Sequence, residues 1–265
     1  MRRSVMNIEQ IFMDCHGAIS MADVVSLEDI YFSKSLVEQF GLPESPDEFV
    51  DYLGINLSDV YLNEGSFFNR FSYVKGFVMV DIPSFELEHL KTFMVKERIE
   101  YISGVMNKLL DEGKWGSIFS LMEKKLLLPK FVEIYREIPE DKIVDIFSEL
   151  WVRSEFGFDM ITEDIIKYVY SFKEQSESYR ERRERLLKLA DSNGYLTVYH
   201  GDTTEGVNDD LSWSLSEETA QWFANRFDNN GDIMSAKVLV DDVIDYFDWR
   251  GESEVLIFPK DVKRE

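Results

Sequence analysis

Ser192-Asn193-Gly194-Tyr195-Leu196-Thr197-Val198-Tyr199-His200-Gly201 is where this chain changes from a helical to an extended texture. Upstream, from Ser84 to about Ala190, apolar residues recur with a period of about 3.6. Leu87, Leu90, Phe93, Met94, Tyr101, Ile102, Val105, Met106 and Leu109 make one long stripe that Gly113 ends. Trp115 to Leu128 reads as a helix stopped by Pro129, Phe131 to Ile138 as the next, and Glu140 to Glu155 as another. Thr162 caps a segment carrying Ile165, Ile166 and Val169, and Ser176 to Ala190 closes the series. In that last helix Arg180, Arg182, Arg183 and Arg185 alternate with Glu177, Glu181 and Glu184, which reads as a solvated, salt-bridged face.

Downstream of Gly194 the pattern is β-loop-β-α-β-turn-β. Tyr195 to Tyr199 is a strand, and Leu211 to Leu215 a second after a loop rich in Asp, Thr and Gly. Ser216-Glu217-Glu218 is an N-cap with acidic first-turn residues. Ile233 to Val240 is a strand, Asp241 to Phe247 a helical turn, and Glu254 to Phe258 a last strand stopped by Pro259. Before Ser84 the reading is mixed, with helical spacing from Leu27 to Phe40 and again at Phe49, Val50, Tyr52 and Leu53. A short strand is expected within Tyr73 to Val80. The fold class is therefore α+β. Residues 1–140 are expected to form a mainly α-helical accessory or target-selecting domain, and 141–265 the β-containing one.

The 265 residues hold 29 Lys+Arg against 51 Asp+Glu, for a net charge of -22. Residues 195–265 alone carry 16 acidic and 6 basic side chains. Such a surface repels phosphates, so nucleic acid and anionic membranes are disfavoured partners. No apolar run approaches the roughly 18 residues of a membrane span, and Asn7, Glu9 and Gln10 break any signal-like core after Met1-Arg2-Arg3-Ser4. The single Cys15 forms no internal disulfide, and a soluble, cytoplasmic protein is expected. Cys15-His16 is a poor thiol-imidazole pair because adjacent residues rarely orient as nucleophile and base. Three scattered histidines make no metal site, and Asp209-Asp210 and Asp241-Asp242 read as turn and cap residues. Phosphate-binding glycine motifs and a Gly-x-Ser-x-Gly elbow are missing.

Three short stretches stand at strand ends: Tyr199-His200-Gly201, Ser212-Trp213-Ser214, and Glu252-Ser253-Glu254 before an apolar strand. In that order they resemble the motifs of the mono-ADP-ribosyltransferases, over about 70 residues from Tyr195 to Lys260. The Arg-Ser-Glu branch carries aromatic-Arg-Gly, Ser-Thr-Ser and Gln/Glu-x-Glu. His200 replaces the Arg, as in the diphtheria-toxin and poly(ADP-ribose) polymerase branch, while Asp202 and Thr203 stand near that branch's hydroxyl position.

The resemblance implies a split, mostly antiparallel β core that clasps NAD as co-substrate and moves ADP-ribose to a macromolecule, the glycosyltransferase chemistry common in phage and toxin effectors. It implies that Glu254 is the catalytic carboxylate, that Glu252 serves the acceptor, and that Ser212 positions both Glu254 and the nicotinamide ribose. His200, Gly201, Trp213 and Ser214 would complete the NAD site, with Trp213, Phe223 and Tyr246 as candidates to stack on nicotinamide, although Phe223 in its amphipathic helix reads first as a core residue. Strong acidity favours a protein acceptor, arginine among its residues, over nucleic acid. The rivals are an acidic, non-catalytic binding or inhibitor protein that keeps the fold, and an NAD glycohydrolase.

Overall fold

The computed structural model describes residues 24–63, 71–122, 124–154, 157–202, 211–225 and 231–264. Cys15, His16, Thr203, Asp209 and Asp210 lie outside them, as does the start of the chain. Among the described residues are eleven α-helices and two antiparallel sheets, so the architecture is α+β. The chain divides into two units, Met1–Glu137 with Arg153–Ile161, and Ile138–Val152 with Thr162–Glu265.

In the first unit, β1 (Val24–Ser26) is followed by α1 (Leu27–Tyr31), α2 (Lys34–Phe40) and α3 (Asp47–Leu53). Strands β2 (Val60–Asn63), β3 (Phe71–Lys75) and β4 (Val78–Ile82) complete a sheet of order β1-β2-β3-β4. The helical expectation for this region omitted that sheet. The single strand expected within Tyr73 to Val80 is a hairpin, because Gly76 supplies the positive φ (58°) that a two-residue turn needs. Val78, Val80 and Ile82 alternate inward on β4, as period two requires.

Helices α4 (Leu87–Thr92), α5 (Val95–Asp111), α6 (Trp115–Leu121) and α7 (Leu127–Ile134) follow. Two expectations fail here. The stripe from Leu87 is broken by Met94, which adopts a left-handed φ of 51°. Pro129 does not stop a helix but sits in the first turn of α7, where a missing N–H costs nothing because those donors have no intrahelical partner.

The second unit contains α8 (Ile143–Arg153, its last residue in the first unit), α9 (Glu163–Tyr170) and α10 (Glu177–Leu187). Thr162 and Ser176 cap α9 and α10 as their sequences suggest, accepting from Ile165 N and Tyr179 N. Then come β5 (Tyr195–Asp202), β6 (Ser212–Ser214), α11 (Glu217–Asn225), β7 (Asp232–Leu239), β8 (Val243–Phe247), β9 (Glu254–Ile257) and β10 (Lys263–Arg264). The sheet order is β10-β7-β5-β6-β9-β8.

The helical turn expected over Asp241 to Phe247 is mostly strand: a 3-10 turn ends at Asp242 and β8 begins at Val243. A register shift between Val243 and Asp245 breaks the period-two pattern that would have marked it. Leu196, Val198, Trp213, Ala236, Val238, Tyr246, Val255 and Ile257 form the buried core on one face of this sheet. Trp213 and Tyr246 are thus core side chains. Phe223, by contrast, is exposed and stacks edge-on against Trp222 with centroids 4.9 Å apart.

Candidate active site

Opposed residues of neighbouring strands share a face, and successive residues alternate. Trp213 lies opposite Val255 and Ser214 opposite Glu254, so Ser212, Ser214 and Glu254 share the face away from that core. There Ser212 Oγ donates to Glu254 Oε1 at 2.5 Å. Trp151 of α8 donates its indole N–H to the same oxygen at 2.9 Å. Ser214 Oγ donates to the Glu252 carbonyl at 2.8 Å and accepts from Ser216 N at 3.0 Å, which ties the turn before β9 to β6. Leu215 N adds a bond to the Ser253 carbonyl at 2.9 Å.

That turn is unusual. Trp249–Gly251 is a single 3-10 turn, Glu252 is helical in φ and ψ, and Ser253 has φ 46°. A non-glycine residue in the left-handed region costs about 1 kcal/mol or more. Alternation along an extended segment, two residues apart in sequence, would put Glu252 and Glu254 on one face. The segment is not extended, so alternation does not apply. Glu252 nonetheless acts on Glu254 electrostatically. Burial raises the Glu254 pKa above the ordinary carboxylate range, the Glu252 charge adds to the rise, and the Ser212 and Trp151 donors oppose it.

His200 is placed differently. It pairs with Met234 and follows Tyr199, which is opposite Ser214, so it shares the Trp213 face rather than that of Glu254. Its ring lies 5.2 Å from Trp213. β5 and β6 share one register pair, and His200 Nδ1 on β5 donates to the Ser212 carbonyl of β6 at 3.1 Å. A neutral ring then carries its proton on Nδ1 and presents Nε2 as an acceptor. Trp213 Nε1 is buried with no hydrogen-bond partner among the described residues.

The missing side chain of Gly201 has a definite use. A Cβ there would stand 2.3 Å from the Ala220 carbonyl oxygen and 2.7 Å from Ala224 N, both backbone atoms of α11. Glycine lets α11 press on β5 through Ala220 and Ala224. Gly201→Ala is therefore expected to destabilise the protein by about 1–3 kcal/mol, read as a lower midpoint in denaturant. A midpoint equal to wild type would mean that α11 is not held by this contact.

Sequence reasoning missed Trp151, which read only as one apolar residue of a helical stripe. It also missed Ser148, Tyr170, Arg182 and Asp245. Arg182 donates to Asp245 through Nε (2.9 Å) and Nη2 (2.7 Å), and Tyr170 and Ser148 donate to the same carboxylate at 2.8 and 3.1 Å. Arg182 is buried, so the charge run of α10 is not wholly a solvated face. Among the described residues no helix is long and apolar enough to cross a membrane, and no group of three or more His, Cys, Asp or Glu is disposed to hold a metal ion. Compared with protein-family models, with curated proteins and with solved structures, the chain finds no match.

Proposed function

We propose that the second unit is an ADP-ribosyltransferase-like β core that transfers ADP-ribose from NAD to a macromolecular acceptor, with release of nicotinamide. The observation that carries this reading is the 2.5 Å bond from Ser212 Oγ to Glu254 Oε1. It joins two motifs forty-two residues apart through the side chains that the motif order singles out. The strained turn at Ser253 leads directly into that glutamate.

The chemistry follows from what the carboxylate can do. Breaking the bond between ribose C1' and nicotinamide sends the electron pair to the ring nitrogen and leaves positive charge on C1', as in glycoside hydrolysis. A fixed carboxylate beside the ribose stabilises that charge as it forms. Glu254 takes this role, oriented by Ser212. The acceptor then bonds to C1' and loses a proton, which Glu252 accepts. Ser214 holds the turn that carries Glu252 and leads into Glu254. His200 bonds from β5 to the Ser212 carbonyl of β6, and the Trp213 indole N–H is a buried donor beside it. The -22 net charge favours a basic, arginine-bearing protein acceptor.

Labelled NAD, cell lysate and purified protein test the reading. Label on protein supports transfer, free ADP-ribose alone supports hydrolysis, and no nicotinamide release with any acceptor leaves only a binding protein. Glu252→Gln is expected to retain nicotinamide release within about threefold while lowering transfer to arginine by about a hundredfold. Equal loss of both would contradict the division of roles. Because the Glu252 charge raises the Glu254 pKa, the same substitution should move the acid limb of nicotinamide release to lower pH.

A further inference from the structure

Trp151 sits on α8 three residues after Ser148, so the two side chains leave the helix on the same side. Ser148 Oγ accepts from Arg182 Nη2 at 2.8 Å and donates to Asp245 Oδ2 at 3.1 Å. Arg182 and Asp245 are 7% and 3% exposed, so this end of the helix is pinned by a buried, charge-assisted network. Phe147 packs on Trp151 with centroids 5.7 Å apart and meets Tyr170 edge-on at 5.9 Å, and Tyr170 itself bonds Asp245. One turn further along, the Trp151 indole meets Glu254 Oε1, the oxygen that Ser212 also bonds. An indole N–H can only donate, and it cannot follow the carboxylate by rotating a hydroxyl.

We infer that Trp151 is a positioning residue for Glu254, its indole N–H held on a helix that Ser148 pins to the buried Arg182–Asp245 pair. Two donors on one oxygen leave the second carboxylate oxygen to face a substrate. They also favour the ionised form against the burial that opposes it. Among the described residues, Glu252 supplies the repelling charge on Glu254, Ser212 and Trp151 are neutral donors, and Arg182 is neutralised by Asp245. His200 Nδ1 donates to the Ser212 carbonyl. The catalytic part of the inference rests on the ADP-ribosyl reading; the contact itself does not.

The test is the indole N–H spectrum of the full chain, labelled with nitrogen-15, from about pH 4 to 9. The chain has five tryptophans, and Trp151→Phe identifies the signal by its loss. The Trp151 signal should titrate with Glu254, above the ordinary carboxylate range, and the titration should vanish in Glu254→Gln. In parallel, Trp151→Phe should lower kcat for nicotinamide release about tenfold, leave KM for NAD nearly unchanged and move the acid limb to higher pH.

A flat Trp151 signal, or one that still titrates in Glu254→Gln, overturns the inference whatever the activity. A kcat and acid limb unchanged in folded Trp151→Phe overturn it as well. A titrating signal in a protein that releases no nicotinamide supports the contact and overturns the ADP-ribosyl reading instead. Should Trp151→Phe fail to fold, the wild-type and Glu254→Gln spectra carry the test by themselves.

Discussion

Glu254→Gln is expected to lower nicotinamide release by about a thousandfold while leaving the protein folded. The amide keeps an oxygen where Ser212 Oγ and the Trp151 indole donate, so both bonds survive. What is lost, on the ADP-ribosyl reading, is the negative charge that serves the ribose. The same substitution should raise stability at neutral pH. Burial and Glu252 place the folded-state pKa of Glu254 above its unfolded value, so the fold prefers the protonated form. That preference stabilises the protein fully below the unfolded value and is lost as pH rises through the folded one. Above it, wild type carries an ionised, partly buried carboxylate that Gln replaces with a neutral group. Thermal melts should therefore show Glu254→Gln above wild type near neutrality, with the gap closing as pH falls through the ordinary glutamate range. A variant less stable than wild type at neutral pH would mean that the carboxylate is there for the fold. Unchanged nicotinamide release would remove Glu254 from the chemistry altogether.

Strands β5, β6, β7 and β9 and the helix α11 were legible because local rules decide them, whereas β8 and the two-residue β10 were not. Turn residues bound each strand, and Ser216 with its two glutamates caps α11, accepting from Thr219 N at 3.2 Å. Sequence order also brought out Ser212 and Glu254, whose side chains meet. The parts that could not be read depend on partners far along the chain. Trp151 is 103 residues from Glu254, and its apolar spacing on α8 gives no hint that its N–H leaves the core. Arg182 has acidic and basic neighbours of alternating sign, which hides the fact that it alone reaches Asp245, 63 residues away. Asp245 in turn stood within a segment read as a helical turn, because Asp241-Asp242 resembles an acidic helix start and the bulge at Ile244 disrupts the alternation of β8. His200 shows a further limit. Motif order brings it next to Ser212 in the plane of the sheet, whereas register places its ring on the opposite face from Glu254.

The largest stability effect should come from the network that sequence concealed. Asp245 accepts from Arg182 twice, from Tyr170, from Ser148 and from its neighbour Tyr246 N at 2.7 Å. The guanidinium also reaches Ser178 through Nη1 at 2.9 Å and lies 5.7 Å from the Phe247 ring. Arg182→Met removes the cation paired with this carboxylate and keeps much of the side-chain volume. Neutral donors from Tyr170, Ser148 and Tyr246 remain, but they do not cancel a buried charge. A loss of about 3–5 kcal/mol is expected. In a thermal melt it would appear as a fall of roughly 10–20 °C. Adding Asp245→Leu to Arg182→Met should recover a substantial part of that loss, because the uncompensated charge is then gone. Recovery should be incomplete, since Tyr170 loses its acceptor and a buried hydroxyl without one costs about 1–3 kcal/mol, whereas Ser148 keeps the Val144 carbonyl at 2.8 Å. The burial that holds the Tyr170 pKa well above its ordinary value keeps that hydroxyl a donor throughout. A double variant whose loss equals the sum of the two single losses would show that the pair is not coupled. The helices α8, α9 and α10 would then be held to β8 by apolar packing and by other bonds, such as that of Arg183 to the Val240 carbonyl ahead of that strand, and the rigidity that brings Trp151 to Glu254 would need another source.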